Sequence, residues 1–167
     1  MIKDKERARL VIVTLDKPRY GAVKSNVSAE EEFAFIEIFI SIINDGGTKA
    51  FNVRAEGSAE LSASAEPSNA PLMRWGKLLL PGIVRETETE NPLKFKMISA
   101  ETGDTFTIPQ RRILEISDNT SFLWVEGVVL YDDVFGDSHR TPFCYRWKAD
   151  RAEHGVSEWI NHSKASS

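Results

Sequence analysis

Residues 33–44 read FAFIEIFISIIN. Ile36, Ile38, Ile40 and Ile42 fall on one side at a period of two, and Phe33, Phe35, Glu37, Phe39 and Ser41 fall on the other. That period belongs to a strand. Branching at Cβ and flat rings both suit a pleated surface, so isoleucine and phenylalanine reinforce the assignment. A buried helix of the same length is the alternative that an apolar run leaves open. The run is too short to span a bilayer and carries Glu37. A strand this apolar needs a second layer over at least one face.

The remaining segments are also short and punctuated by turns. LVIVTL at 10–15 is β-branched and ends before Asp16-Lys17-Pro18, so it reads as a strand with a turn behind it. Residues 17–32 are polar and breaker-rich and read as a long loop; Ser28 and Glu31 have capping-box spacing, but no helical period follows. Asn44-Asp45-Gly46-Gly47 reads as a turn of residues tolerant of positive φ, after which KAFNVRAEG at 49–57 returns as the partner strand with Phe51, Val53 and Ala55 inward. Residues 58–71 are small and polar, a loop or weak edge strand. Residues 78–90 hold a Pro-Gly turn and an exposed strand with Glu86, Glu88 and Glu90 in a row, read as a solvated face. Leu93, Phe95 and Met97 alternate with lysines, and 105–108 offers another short strand. Residues 109–116 suit one or two helical turns, with Pro109 at the first position. A hairpin of 121–132 and 139–148 closes the series. The expected fold is therefore all-β: an antiparallel two-sheet sandwich, immunoglobulin-like, of about seven to nine strands with one or two short helical segments. A small closed barrel is the runner-up. Residues 1–150 form the single domain, and 151–167 form a short C-terminal helix and tail tied back by Trp159 and Ile160.

A chain of 167 residues is long enough to bury a core without staples. Its net charge of −4, with Lys and Arg scattered among acids, argues against nucleic acid as a partner, since phosphate needs a basic stripe. Cys144 is the single cysteine, so the fold does not depend on an internal disulfide. The opening MIKDKERARL is charged where a secretory signal would be apolar.

Reactive side chains concentrate in VLYDDVFGDSHRTPFCYRW, residues 129–147. His139 and Cys144 lie five apart on one strand, so their side chains diverge to opposite faces, which opposes a Cys–His pair there. The metal candidates Asp132, Asp133, Asp137, His139, His154 and His162 lack zinc or calcium spacing, and no phosphate loop or nucleophile elbow is present. DVFGDSH reads instead as a structural turn. Gly136 takes positive φ, and Asp133 accepts turn N–H groups and meets His139. An even register then sets Leu123, Val125, Val129 and Tyr131 on the core face with Thr141, Phe143, Tyr145 and Trp147. Phe122, Trp124, Val128 and Leu130 lie on the other side as an apolar interaction patch.

WVEGVVLYDDVFGDSHRTPFCYRW resembles the C-terminal signature of a group of uncharacterised bacterial membrane-anchored proteins. In these a strand with Gly and Tyr leads to an Asp-x-Phe-Gly turn, then His-x-Thr and Phe-Cys-Tyr-Arg. The matching positions here are Gly127, Tyr131, Asp133, Phe135, Gly136, His139, Thr141, Phe143, Cys144, Tyr145, Arg146 and Trp147. Residues 35–53 are similar to that family's strand-turn-strand, with Lys49 where a proline would sit. The resemblance implies a β-sandwich carried behind membrane helices and a stalk, with KDKERARL as the stalk's end, and it implies no activity or catalytic residue. Val128 and Leu130 depart from it, since relatives carry charged residues there. The functional expectation is a non-enzymatic binding or structural module, the soluble head of a membrane-associated bacterial protein. It would act through a protein partner or self-association, without cofactor or metal, and meet the membrane only through segments absent from this chain. The alternative is a small-ligand-binding or metal-dependent enzyme using loops near the 132–139 turn.

Overall fold

The computed structural model of the protein describes residues 7–22, 33–66, 72–75, 84–87, 93–99, 103–149 and 157–162. The isoleucine strip is where expected: Ile36, Ile38, Ile40 and Ile42 are all at most 1% exposed. Their strand, however, changes partners midway. β3 (Phe33–Glu37) lies between β2 (Arg19–Ala22) and β9 (Phe106–Pro109), whereas β4 (Phe39–Asn44) lies between β1 (Leu10–Leu15) and β8 (Leu93–Lys96). Ile38 sits at the break, and its carbonyl accepts the Met97 N–H at 2.9 Å. Two three-stranded antiparallel sheets are thus joined by one unbroken apolar strip.

The third sheet has six strands in the order β12 (Glu158–Asn161), β11 (Ser138–Lys148), β10 (Phe122–Asp132), β5 (Ala50–Ser62) and β6 (Met73–Trp75), with β7 (Val84–Thr87) pairing on the far part of β5. A single helix among the described residues, α1 (Gln110–Ser117), follows β9 and buries Ile116. One hydrophobic core draws on all three sheets, including Leu10, Ile36, Ile40, Phe106, Leu123 and Phe143. The hairpin register is the even one: Val125 opposes Tyr145, Val129 opposes Thr141, and Tyr131 opposes His139. Leu123, Val125, Val129 and Tyr131 are buried, as are Phe143 and Trp147. Gly127 faces Gly57 across β10 and β5. A Cβ on Gly127 would meet the Phe143 ring and the Glu56 carbonyl, so the two glycines let the strands and the ring approach.

Several expectations need correction. The described residues hold twelve strands, more than the expected seven to nine, because short pairings such as β2 within the supposed 17–32 loop were not visible in its polar composition. Residues 49–57 do not return beside 33–44. β5 crosses to the six-stranded sheet, and the edge of β4 is taken by β1 instead. β5 also continues to Ser62, through residues expected to be a loop or weak edge strand, and there it lies between β10 and β6 rather than at an edge. Residues 158–161 form an edge strand paired with β11 rather than a helix. Among the described residues no sheet closes into a barrel. The Ser28–Glu31 pair, Glu88, Glu90, His154 and most of the 151–167 tail lie outside the described residues.

Ile40→Ala should lower stability by about 2–5 kcal/mol, the usual cost of emptying a filled core position. Urea unfolding at unchanged m-value checks this. A variant that unfolds like the wild type would mean that Ile40 does not face the core.

Candidate functional site

The β10–β11 hairpin places Asp133 at the start of its loop, where the chain leaves Asp132 and rejoins at Ser138. The loop closes on itself: the Asp133 N–H donates to the Asp137 carbonyl at 2.9 Å, and the Gly136 N–H to the Asp133 carbonyl at 3.0 Å. Gly136 has φ +83°, with open space around it, so its conformation and not crowding calls for glycine. The Asp133 side chain is fully buried. Its Oδ1 accepts the N–H groups of Phe135 at 2.8 Å and Asp137 at 3.0 Å, and its Oδ2 lies 2.7 Å from His139 Nε2. A carboxylate only accepts, so Nε2 carries the proton of that bond. The same Oδ2 is 3.5 Å from the guanidinium of Arg7, an ion pair rather than a hydrogen bond. The His139 ring stacks on Tyr131 at 5.2 Å, which links the loop to the core. Burial alone would raise the Asp133 carboxyl. The His139 hydrogen bond, the Asp137 and Phe135 N–H groups and the attraction of His139 outweigh it and hold the carboxyl below its ordinary range. Neighbouring Asp132 is lowered too, first by the Asn52 amide at 2.9 Å and then by the Ser138 hydroxyl at 2.8 Å.

The apolar side of β10 is not uniform. Trp124 is only 5% exposed. Its Nε1 donates to the Ser64 carbonyl at 3.3 Å, and its ring lies 4.8 Å from that of His162. The Arg146 guanidinium sits 5.3 Å over the half-buried Phe122 ring. The chain therefore covers half of the expected patch itself. Val128 and Leu130 are half-exposed, with exposed Pro142 opposite Val128 and Leu130 flanked by Arg54 and Arg140. A depression of about 440 Å³ opens here over the Gly57–Gly127 pair, walled by Glu126, Val128, Arg140 and Pro142.

Cys144 and His139 do lie on opposite faces, since Cys144 opposes Glu126 whereas His139 opposes Tyr131. The strand at 158–161 brings a different histidine near: the His162 N–H donates to the Cys144 carbonyl at 2.7 Å, one step along the ladder from Tyr145–Asn161. This neighbour was hidden from the sequence because the segment read as helix. Burial first, then Glu126 and Glu60, push the Cys144 thiol up, which disfavours the nucleophilic thiolate. Among the described residues no three His, Cys, Asp or Glu side chains are grouped to hold a metal. A second cleft, of about 350 Å³, lies between Leu15, Lys17, Tyr145, Trp147 and Trp159, and the Trp159 Nε1 closes one side by donating to the Asp16 carbonyl at 2.8 Å.

No family model matches the chain, and no curated protein sequence matches it. Among solved structures the chain is similar to the X-ray structure of Northeast Structural Genomics Consortium target SoR45, at 12% identity, with 96% of this chain and 98% of that chain covered and a TM-score of 0.44. Likeness at that level carries no functional argument.

Asp133→Ala should cost about 2–4 kcal/mol at neutral pH, more than a simple helix cap, because four partners lose one buried acceptor. The depressed carboxyl contributes stability above its unfolded pKa of roughly 3.9, and this is lost as pH falls through the lower folded value. The gap between wild type and Asp133→Ala should therefore narrow below about pH 4. Chemical unfolding at several pH values checks it, and a gap that widened in acid would reverse the sign of the argument.

Proposed function

We propose that this chain is a non-enzymatic binding module. On this reading the three sheets form two layers of an immunoglobulin-like sandwich. The β2–β3–β9 and β1–β4–β8 sheets are two halves of one layer, and the six-stranded sheet is the other. Support comes from the shared core and from the isoleucine strip that runs through both halves.

The contact surface is the outer face of the six-stranded sheet at Val128 and Leu130. The observation that carries this reading is that β10 is apolar on both sides there. Val129 and Tyr131 fill the core, while Val128 and Leu130 stay half-exposed beside Pro142. A sheet face that looks to water normally alternates to polar residues, and an apolar strip rimmed by Arg54 and Arg140 fits the centre-and-rim pattern of a protein contact. The partner is another protein or a second copy of this chain. The place of the module as the soluble head of a membrane-associated bacterial protein rests on the sequence resemblance alone. Among the described residues no helix is long and apolar enough to cross a membrane.

The small-ligand or metal-dependent alternative near 132–139 has less support. Both oxygens of Asp133 are already engaged by Phe135, Asp137 and His139, so this buried carboxylate is committed to the turn rather than offered to a substrate.

Leu130→Lys should melt like the wild type yet lose the assembly that the wild type forms, read by sedimentation and by affinity capture from the source cells. Equal assembly by both proteins, or none by the wild type, contradicts the proposal.

A further inference from the structure

The segment ahead of β1 lies across two loops at once. Its backbone is bound by the 44–48 turn: the Gly47 N–H donates to the Arg7 carbonyl at 3.2 Å, the Asp45 N–H to the Arg9 carbonyl at 2.9 Å, and the Arg9 N–H to Asn44 Oδ1 at 3.1 Å. Asn44 is fully buried and also accepts the Gly46 N–H and donates to the Thr48 carbonyl, so this cradle is built rather than incidental. Gly46 is required by the close approach, because a Cβ there would collide with the Arg7 carbonyl. The Arg9 fork grips Asp45 at 2.6 Å through both Nε and Nη2. Ala8, between the two arginines, is 3% exposed.

The Arg7 side chain reaches the other loop. One terminal nitrogen pairs with the fully buried Asp133 at 3.5 Å, the other with Asp137 at 3.0 Å, and the guanidinium sits 5.7 Å over the Phe135 ring. Two carboxylates on one loop with an aromatic ring beside them are the groups that recognise a planar, delocalised cation. They also account for Phe135, a large ring left 45% exposed at a loop tip.

We propose that the 133–137 loop is a guanidinium-binding site whose ligand is Arg7 of the same chain, and that residues 7–9 are a strap fixing the path of the chain ahead of β1. The site reads the forked shape as well as the charge, since one cation spans two carboxylates of different burial. This is independent of the sheet-face contact proposed above.

The test uses the full chain with Arg7→Ala and Arg7→Lys. Amide exchange by NMR should quicken about tenfold at Gly47 and Asp45 in Arg7→Ala, while Val125 in the core stays unchanged. Lysine should not restore protection. Methylguanidinium should shift the Phe135 and His139 signals of Arg7→Ala saturably and leave the wild type unaffected. Asp137→Asn alters an exposed acid and should loosen the same amides with the fold intact, which keeps the test open if Arg7→Ala unfolds. Unchanged exchange, full recovery by lysine, or no saturable response to methylguanidinium overturns the proposal.

Discussion

One strip of isoleucines sets what the other elements must do. A strand that buries every second side chain from Ile36 to Ile42 has a single dry face, yet its ladder switches from β2 and β9 to β1 and β8 at Ile38. Both small sheets are therefore held to the same core and cannot turn their apolar faces apart. Each buried isoleucine contributes roughly 1.5–3 kcal/mol. The six-stranded sheet supplies a further wall of that core through Leu123, Val125, Val129 and Phe143.

The acid–histidine loop follows from that wall. β10 and β11, eleven residues each, end in a tight return in which the Phe135 and Asp137 N–H groups turn to the Asp133 side chain. A buried carboxylate is costly unless hydrogen bonds and opposite charge surround it. Asp133 has both, and through His139 and Tyr131 it is packed onto the core. The same acceptor draws in Arg7, so a loop that organises itself also holds a distant part of the chain. Asp133 and His139, read from the sequence as parts of a turn, are engaged with turn N–H groups, with each other and with Arg7.

Period and turn chemistry made part of this legible. The isoleucine face, the hairpin register and the placement of Asp133, Gly136 and His139 all follow from local rules, because alternation and a short loop determine them together. Long-range choices were less accessible. Asn44-Asp45-Gly46-Gly47 looked like a hairpin turn, but neither glycine has positive φ among the described residues, and the small residue at Gly46 makes room for the strap. Nothing in the polar run at 17–32 announced the Arg19–Ala22 strand, whose pairing is supplied by β3. Periodicity placed Phe122, Trp124, Val128 and Leu130 on one face of β10, but it could not show that Ser64 and His162 cover Trp124.

The account turns on Asp133 being an ionised, fully engaged acceptor inside its loop. The side-chain carboxyl carbon of Asp133, followed by NMR through an acid titration of the folded protein, measures this without altering any residue. The account predicts that it titrates below the ordinary aspartate range near about 3.9, with the Phe135 and Asp137 amide signals moving at the same midpoint. Titration at or above that range, or amides indifferent to it, would mean that burial prevails over the hydrogen bonds and that the carboxylate does not hold the loop together.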